Sequence, residues 1–351
     1  MTGDELSKQV RSGEFFHEED FSGMDCKGID LSGGIFNEIS FDNCDFTGAN
    51  LKEATFNNCS VKNGIFFQAD LNETNFIKCN FEKADFKEVS TEFIKFIESE
   101  MALADFSNSE LKGMCVFSDS NLDGASFVDS NLDTAVFNSC KMQNVDFSRA
   151  VLYKATFYNC EFENNNFLET SINLSGFFDA VFEETNFSDM DLTQVQFYNS
   201  NLKKCNFSGT KLKQAGFIKA SCKGSNFDNA YLEMANFYEA NLSDSSFINA
   251  DLKMASMQNA MLTNSDFSSA SLYQAQMENV SADNSIFKNA DFTYADLSHA
   301  EIKNSDFSNA NLFMTNIHEA DDEKTIWRGS KKSLARGTDP IRLKSEQWGK
   351  Q

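Results

Sequence analysis

From Phe117 to Ile317 every fifth residue is apolar, without one exception. Two positions before most of these centres stands a small residue, and from Ala215 through Ser225 and Ser245 to Ala260 that row holds only Ala and Ser. An α-helix with 3.6 residues per turn cannot keep a strict five-residue period on one face, and a strand alternates at two. A chain that turns a corner every five residues can. Four corners close a coil of 20 residues, and stacked coils place residues 20 apart on one face. Phe127, Phe147, Phe167, Phe187, Phe207, Phe227, Phe247, Phe267, Phe287 and Phe307 form such a column, and Leu132, Leu152, Ile172, Leu192, Leu212, Leu232, Leu252 and Leu272 form another. A period of five alone would not sort Phe from Leu. The fold class is therefore all-β, a four-sided solenoid of about 15–16 coils.

The unit reads A-[D/N]-[L/F]-x-x, intact at Ala240-Asn241-Leu242, Ala250-Asp251-Leu252 and Ala290-Asp291-Phe292. It resembles the pentapeptide-repeat family over nearly the whole chain. The resemblance implies a right-handed quadrilateral β-helix in which the centre and the small residue two before it face inward. The Gly-Gly-x-Gly-x-Asp signature of calcium-binding β-rolls is absent.

Three segments follow from the pattern. Residues 1–15 read as an N-terminal cap: Asp4 caps a short helix, Leu6 and Val10 share a face, and Gly13 ends it. Residues 16–320 are the repeat. Within it the step from Leu111 to Phe117 is six, a one-residue insertion near 112–116 that leaves the columns in phase. Thr91 is the polar centre of the first block, and its coil is expected to be loosened. Residues 321–351 form a basic, tryptophan-containing tail, with eight Lys or Arg against five Asp or Glu, both tryptophans and the lone proline. Open coil ends need covering, so the tail either caps the solenoid or hangs free as a partner-binding peptide.

The formal charge of −23 argues against nucleic acid as a direct ligand, because phosphate binding needs Lys and Arg. All nine cysteines fall in repeat register with no C-x-x-C pair, which marks them as core thiols rather than zinc ligands. No stretch is long enough to span a bilayer and Met1 to Gln9 has no signal-peptide core, so a cytoplasmic location is expected.

Chemistry is hard to find. His17, His299 and His318 fall at outward positions and read as surface residues, although His299 and His318 lie about one coil apart. There is no phosphate-cradling loop, no G-x-G-x-x-G, and no nucleophile–base–orienter set. The reading is a non-enzymatic chain without metal or cofactor.

The functional expectation is a protein-interaction scaffold. Family resemblance implies accessory or effector roles in bacterial secretion systems as one setting. The alternative it implies is an acidic DNA mimic that binds DNA gyrase. A solenoid of roughly 75 Å would carry about half the charge density of B-DNA, which has one charge per ~1.7 Å. Candidate partner-binding residues come from the position after one column of centres: Tyr158, Phe178, Tyr198, Ile218 and Tyr238, on one face in consecutive coils. Trp327 and Trp348 join them from the tail. Self-association through the same stripe is a further expectation.

Overall fold

The computed structural model describes residues 1–348. The chain divides into two compact units, Met1–Val181 and Phe182–Gln351. Both are parallel β-solenoids built from the same corner.

That corner explains the five-residue period. In the first unit the Ala49 amide donates to the Phe46 carbonyl at 2.9 Å, and Gly48 between them has φ +66°. In the second unit Ala240 donates to Phe237 at 3.0 Å across Glu239 at φ +57°. A hydrogen bond from residue i+3 to residue i, with positive φ at i+2, is a type II turn. The turn sends the next small residue and the next centre inward. It also explains the Asp or Asn before each centre, whose carboxylate or amide oxygen accepts an amide two residues on, as in Ser268 to Asp266 at 2.8 Å.

Coils are joined by backbone hydrogen bonds running parallel. Phe46 donates to Ile65 at 2.7 Å and Ile65 to Cys44 at 3.0 Å; Phe237 donates to Ser256 at 2.6 Å and Ser256 to Ala235 at 2.9 Å. In the first unit one side is regular enough to be a parallel sheet, from Phe16–His17 through Ile35–Asn37 and Thr55–Asn57 to Thr156–Tyr158 and Gly176–Phe178. Register advances by 20, then by 21 once, where Phe96 pairs with Phe117. The extra residue is absorbed by two successive left-handed positions, Gly113 at φ +70° and Met114 at φ +61°.

Two phenylalanine columns face each other in the interior, with leucines on the remaining sides. Within a column the rings stack, Phe137 on Phe157 at 4.7 Å and 5°, Phe247 on Phe267 at 4.5 Å and 3°. Between columns they meet edge-on, Phe117 to Phe127 at 5.9 Å and 90°, Phe217 to Phe227 at 5.7 Å and 87°. Both arrangements suit the ring quadrupole. Where the small inward residue is Ser rather than Ala, its hydroxyl donates to a carbonyl, 23 residues earlier for Ser225 to Leu202 and Ser265 to Leu242, both at 2.7 Å, and three residues earlier for Ser130 to Phe127. Thr91 is buried with its hydroxyl unpaired, yet Ser90–Glu92 pairs in register with Glu110–Lys112. The coil is not loosened there, because the backbone ladder does not depend on the centre's side chain.

Helix α1, Gly3–Arg11, lies over the first coil with Leu6 and Val10 buried and the Ser7 hydroxyl donating to the Asp30 carbonyl at 2.7 Å. Its cap is Thr2 rather than Asp4, because Thr2 and Glu5 form a reciprocal capping box. At the other end of the chain, coil winding continues past Ala320. Ile302 donates to Asp321 at 2.9 Å, Phe307 to Ile326 at 2.8 Å and Ile317 to Arg336 at 2.9 Å. Helix α2, Pro340–Trp348, follows.

Candidate functional site

The surface of each unit is set by what the corners leave outside. In the first unit Tyr158 and Phe178 stack at 5.0 Å and 19°; Tyr158 is exposed and Phe178 half-buried. In the second unit Tyr198, Ile218 and Tyr238 occupy the same register position 20 residues apart, with Tyr198 and Tyr238 exposed and Ile218 half-buried. Further along this row stand Gln258, Glu278, Ser298 and His318.

The tail tryptophans are elsewhere. Trp327 takes the centre position after Phe307 and packs on it at 4.7 Å with the rings tilted by 32°, its indole N–H donating to Asp322 at 3.1 Å. The Lys332 ammonium lies over the ring at 4.9 Å and pairs with Asp322. Trp327 covers the end of the phenylalanine column and does not reach the tyrosine row, because the corner geometry carries it inward. Trp348 is exposed on α2.

The tail also builds a polar cluster. His318, expected on the surface, is buried, because α2 lies over it. Its Nδ1 accepts the Asp339 backbone N–H at 3.0 Å, and its Nε2 faces Glu346 Oε2 at 3.2 Å. His299 Nε2 lies 3.3 Å from Glu346 Oε1, and Arg342 Nε donates to that oxygen at 2.7 Å. Arg342 first, then His318 and His299, pull the Glu346 carboxyl down to about 2. Asp339 caps α2 through the amides of Ile341 and Arg342, with Pro340 at the first helical position. This helix start is legible in the sequence, but a search for the five-residue period passes over it.

The donor atoms of His299, His318 and Glu346 lie within 4.8 Å of one another, a set that zinc uses. The tautomer speaks against it. With Nδ1 accepting from Asp339, the His318 proton sits on Nε2, the atom a metal would need, and the Arg342 guanidinium occupies the carboxylate. The cluster is a clasp for α2. All nine cysteines are buried and free; burial pushes Cys115 up to about 11 and Cys205 up to about 12, while the hydrogen bonds from Cys26, Cys79 and Cys160 lower Cys44, Cys59 and Cys140.

The acidic surface of the second unit is interrupted by lysines. Lys204 pairs with Glu184 at 2.8 Å, Lys203 with Glu183 at 3.5 Å, Lys213 with Glu233 at 3.0 Å and Lys223 with Asp244 at 3.4 Å. Each pair bridges neighbouring coils. No helix among the described residues is long and apolar enough to cross a membrane.

Comparison with curated proteins gave no match. Among solved structures, trypsin-treated QnrB1, a plasmid-mediated fluoroquinolone resistance protein, is 20% identical, covering 56% of this chain and 88% of that one with a TM-score of 0.40. HetL, a pentapeptide repeat protein involved in heterocyst differentiation regulation in the cyanobacterium Nostoc, is 22% identical, covering 72% and 91% with a TM-score of 0.21. The family model described as pentapeptide repeat region matches residues 34–114. The one described as pentapeptide repeats (8 copies) matches residues 130–167, 177–214, 205–244, 215–253, 245–281, 270–309 and 290–321. With these matches spread over most of its length and a five-residue corner repeated in both units, the chain belongs to the pentapeptide-repeat family.

Proposed function

We propose that this protein is a non-enzymatic protein-binding scaffold whose docking residues include Tyr158 and Phe178 in the first unit and Tyr198, Ile218 and Tyr238 in the second. The observation that carries this reading is large apolar side chains recurring at one outward register position, with all three tyrosines exposed. Tyr is favoured where interfaces are anchored, since it buries much area for little lost freedom. Trp348 adds an exposed ring on α2, while Trp327 belongs to the coil end. An accessory part of a bacterial secretion system is one setting the family resemblance offers for such a scaffold.

The second reading, an acidic DNA mimic that binds gyrase, is favoured by the net charge of −23. The lysines between coils weigh against it, because they offset part of the negative charge that a mimic of the phosphate backbone would present. Capture of partners from the native host by wild type and by the Tyr198→Ser/Tyr238→Ser variant tests the first reading. The variant is expected to lose a specific partner while melting within a few degrees of wild type. Unchanged capture would refute the assignment of these residues. Salt-sensitive inhibition of purified gyrase supercoiling would favour the mimic.

A further inference from the structure

At one corner of the first unit the small inward residue of six successive coils is Cys59, Cys79, Ser99, Ser120, Cys140 and Cys160. The hydrogen bond that closes other corners is replaced along this row. The Cys79 amide donates to the Ser99 hydroxyl at 3.2 Å, and the Ser99 amide to the Ser120 hydroxyl at 3.0 Å. The amides of Cys59, Ser120 and Cys140 donate in the same way to the sulfurs of Cys79, Cys140 and Cys160. Each buried amide needs an acceptor in the next coil. Ser meets that need at two coils, so the need for an acceptor does not account for two adjacent pairs of Cys.

Both pairs are aligned for bonding. Cys59 and Cys79 stand opposite each other between the register pairs Asn57–Ile77 and Ser60–Asn80. Cys140 and Cys160 stand between Asn138–Tyr158 and Lys141–Glu161. Opposite residues on neighbouring strands lie about 4.8 Å apart, within the roughly 4.4–6.8 Å that a disulfide spans between Cα atoms. In each pair the two thiols also hydrogen-bond to each other. Cys26 and Cys44 share such a bond, but Asp25 pairs with Asp45, which sets these two cysteines two places out of register. A groove of about 420 Å³ reaches the row from outside, with Cys79, Ser99 and Ser120 on its wall beside Ser139 and Lys141, the chain neighbours of Cys140.

We propose that Cys59–Cys79 and Cys140–Cys160 are oxidisable thiol pairs that hydrogen peroxide, entering by this groove, converts to disulfides stapling neighbouring coils of the first unit. The thiolate is the reacting form. The Cys79 thiol and the Ile39 amide lower Cys59 against the opposing effect of burial, and the Cys160 thiol and the Ser120 amide do the same for Cys140. The thiolate attacks one peroxide oxygen, the O–O bond breaks, and hydroxide leaves to become water with the proton that the thiol gave up. The partner sulfur then displaces hydroxide from the resulting sulfenic acid, and its own proton makes the second water. Two thiols lose two electrons, one S–S bond forms, and one peroxide is reduced to two waters. The inference is independent of what the chain binds.

The test uses the full chain, reduced, freed of reductant and treated with hydrogen peroxide while folded. Remaining thiols are then alkylated in denaturant and the peptides mapped by mass spectrometry without reduction. Links Cys59–Cys79 and Cys140–Cys160 are expected, reversible by dithiothreitol, with Cys26, Cys44 and Cys115 recovered as alkylated thiols. The melting temperature of the oxidised chain should rise, because each link restrains the unfolded chain. The Cys79→Ser/Cys160→Ser variant keeps an acceptor of the Ser99 kind in both coils. It should lose both links, and its melting temperature should no longer respond to peroxide. Absence of both links in folded wild type overturns the proposal. Cys26–Cys44 links formed to the same extent overturn it as well, since oxidation would then ignore register. A peroxide-treated wild type that is linked but melts lower would also overturn it, by showing that these thiols are packed in a way that bonding disrupts.

Discussion

Trp327 lies on Phe307 with ring centroids 4.7 Å apart, continuing a column of phenyl rings with an indole. The larger ring, tied to Asp322, covers the end of a hydrophobic stack that would otherwise face water. Solenoid ends need such covers because the terminal coil has a neighbour on one side only. Trp327→Ala is therefore expected to destabilise the terminal coil by about 1–3 kcal/mol, below the cost for a fully buried ring. Hydrogen exchange should show lost protection from Ile302 to Arg336, with coils near Phe207 unaffected. Uniform loss along the second unit would contradict a local cap.

Phe207 stacks between Phe187 at 5.1 Å and Phe227 at 4.8 Å, and meets Phe217 edge-on at 5.8 Å. Phe207→Ala should cost about 3–5 kcal/mol. Because each coil touches mainly its neighbours, calorimetry should resolve a separate early transition rather than one shifted peak. An unaltered melting profile would refute the stacking.

The α2 clasp has a defined acid limit. Glu346 has its folded pKa lowered from 4.5 to about 2 by Arg342 and the two imidazoles. A lowered carboxyl pKa contributes stability that is present above the unfolded value and lost as pH falls through the folded one. Amide protection in Pro340–Trp348 should hold down to about pH 4.5 and disappear between there and about pH 2. Glu346→Gln should lower that protection at pH 7 and remove its acid dependence. Protection that is flat across this range in wild type would place the helix's anchorage elsewhere.

The lysines between coils should act through register and salt response more than through raw stability, since exposed ion pairs contribute little individually. Replacing Lys203, Lys204, Lys213 and Lys223 together with Glu puts like charges on neighbouring coils. The melting temperature is expected to fall clearly in low salt and to recover largely in high salt. A fall of the same size at both ionic strengths would mean the lysines act by packing their stems.

The five-residue period, the two columns of rings and the place of every cysteine were legible in the sequence because each coil repeats the same local rule. An inward centre, a small residue two before it and a corner two after it are decided within a few residues, and stacking only multiplies them. The one-residue step near Gly113 could be read for the same reason, since the columns stay in phase. What lay beyond any period was the tail. Whether Trp327 closes a column, and whether His318 faces water or lies under α2, depends on contacts between segments with no repeating pattern. His318 stands at an outward register position, yet Asp339 and Glu346 reach it from 21 and 28 residues further on. Burial there is a property of the docked helix, and tertiary structure alone decides it.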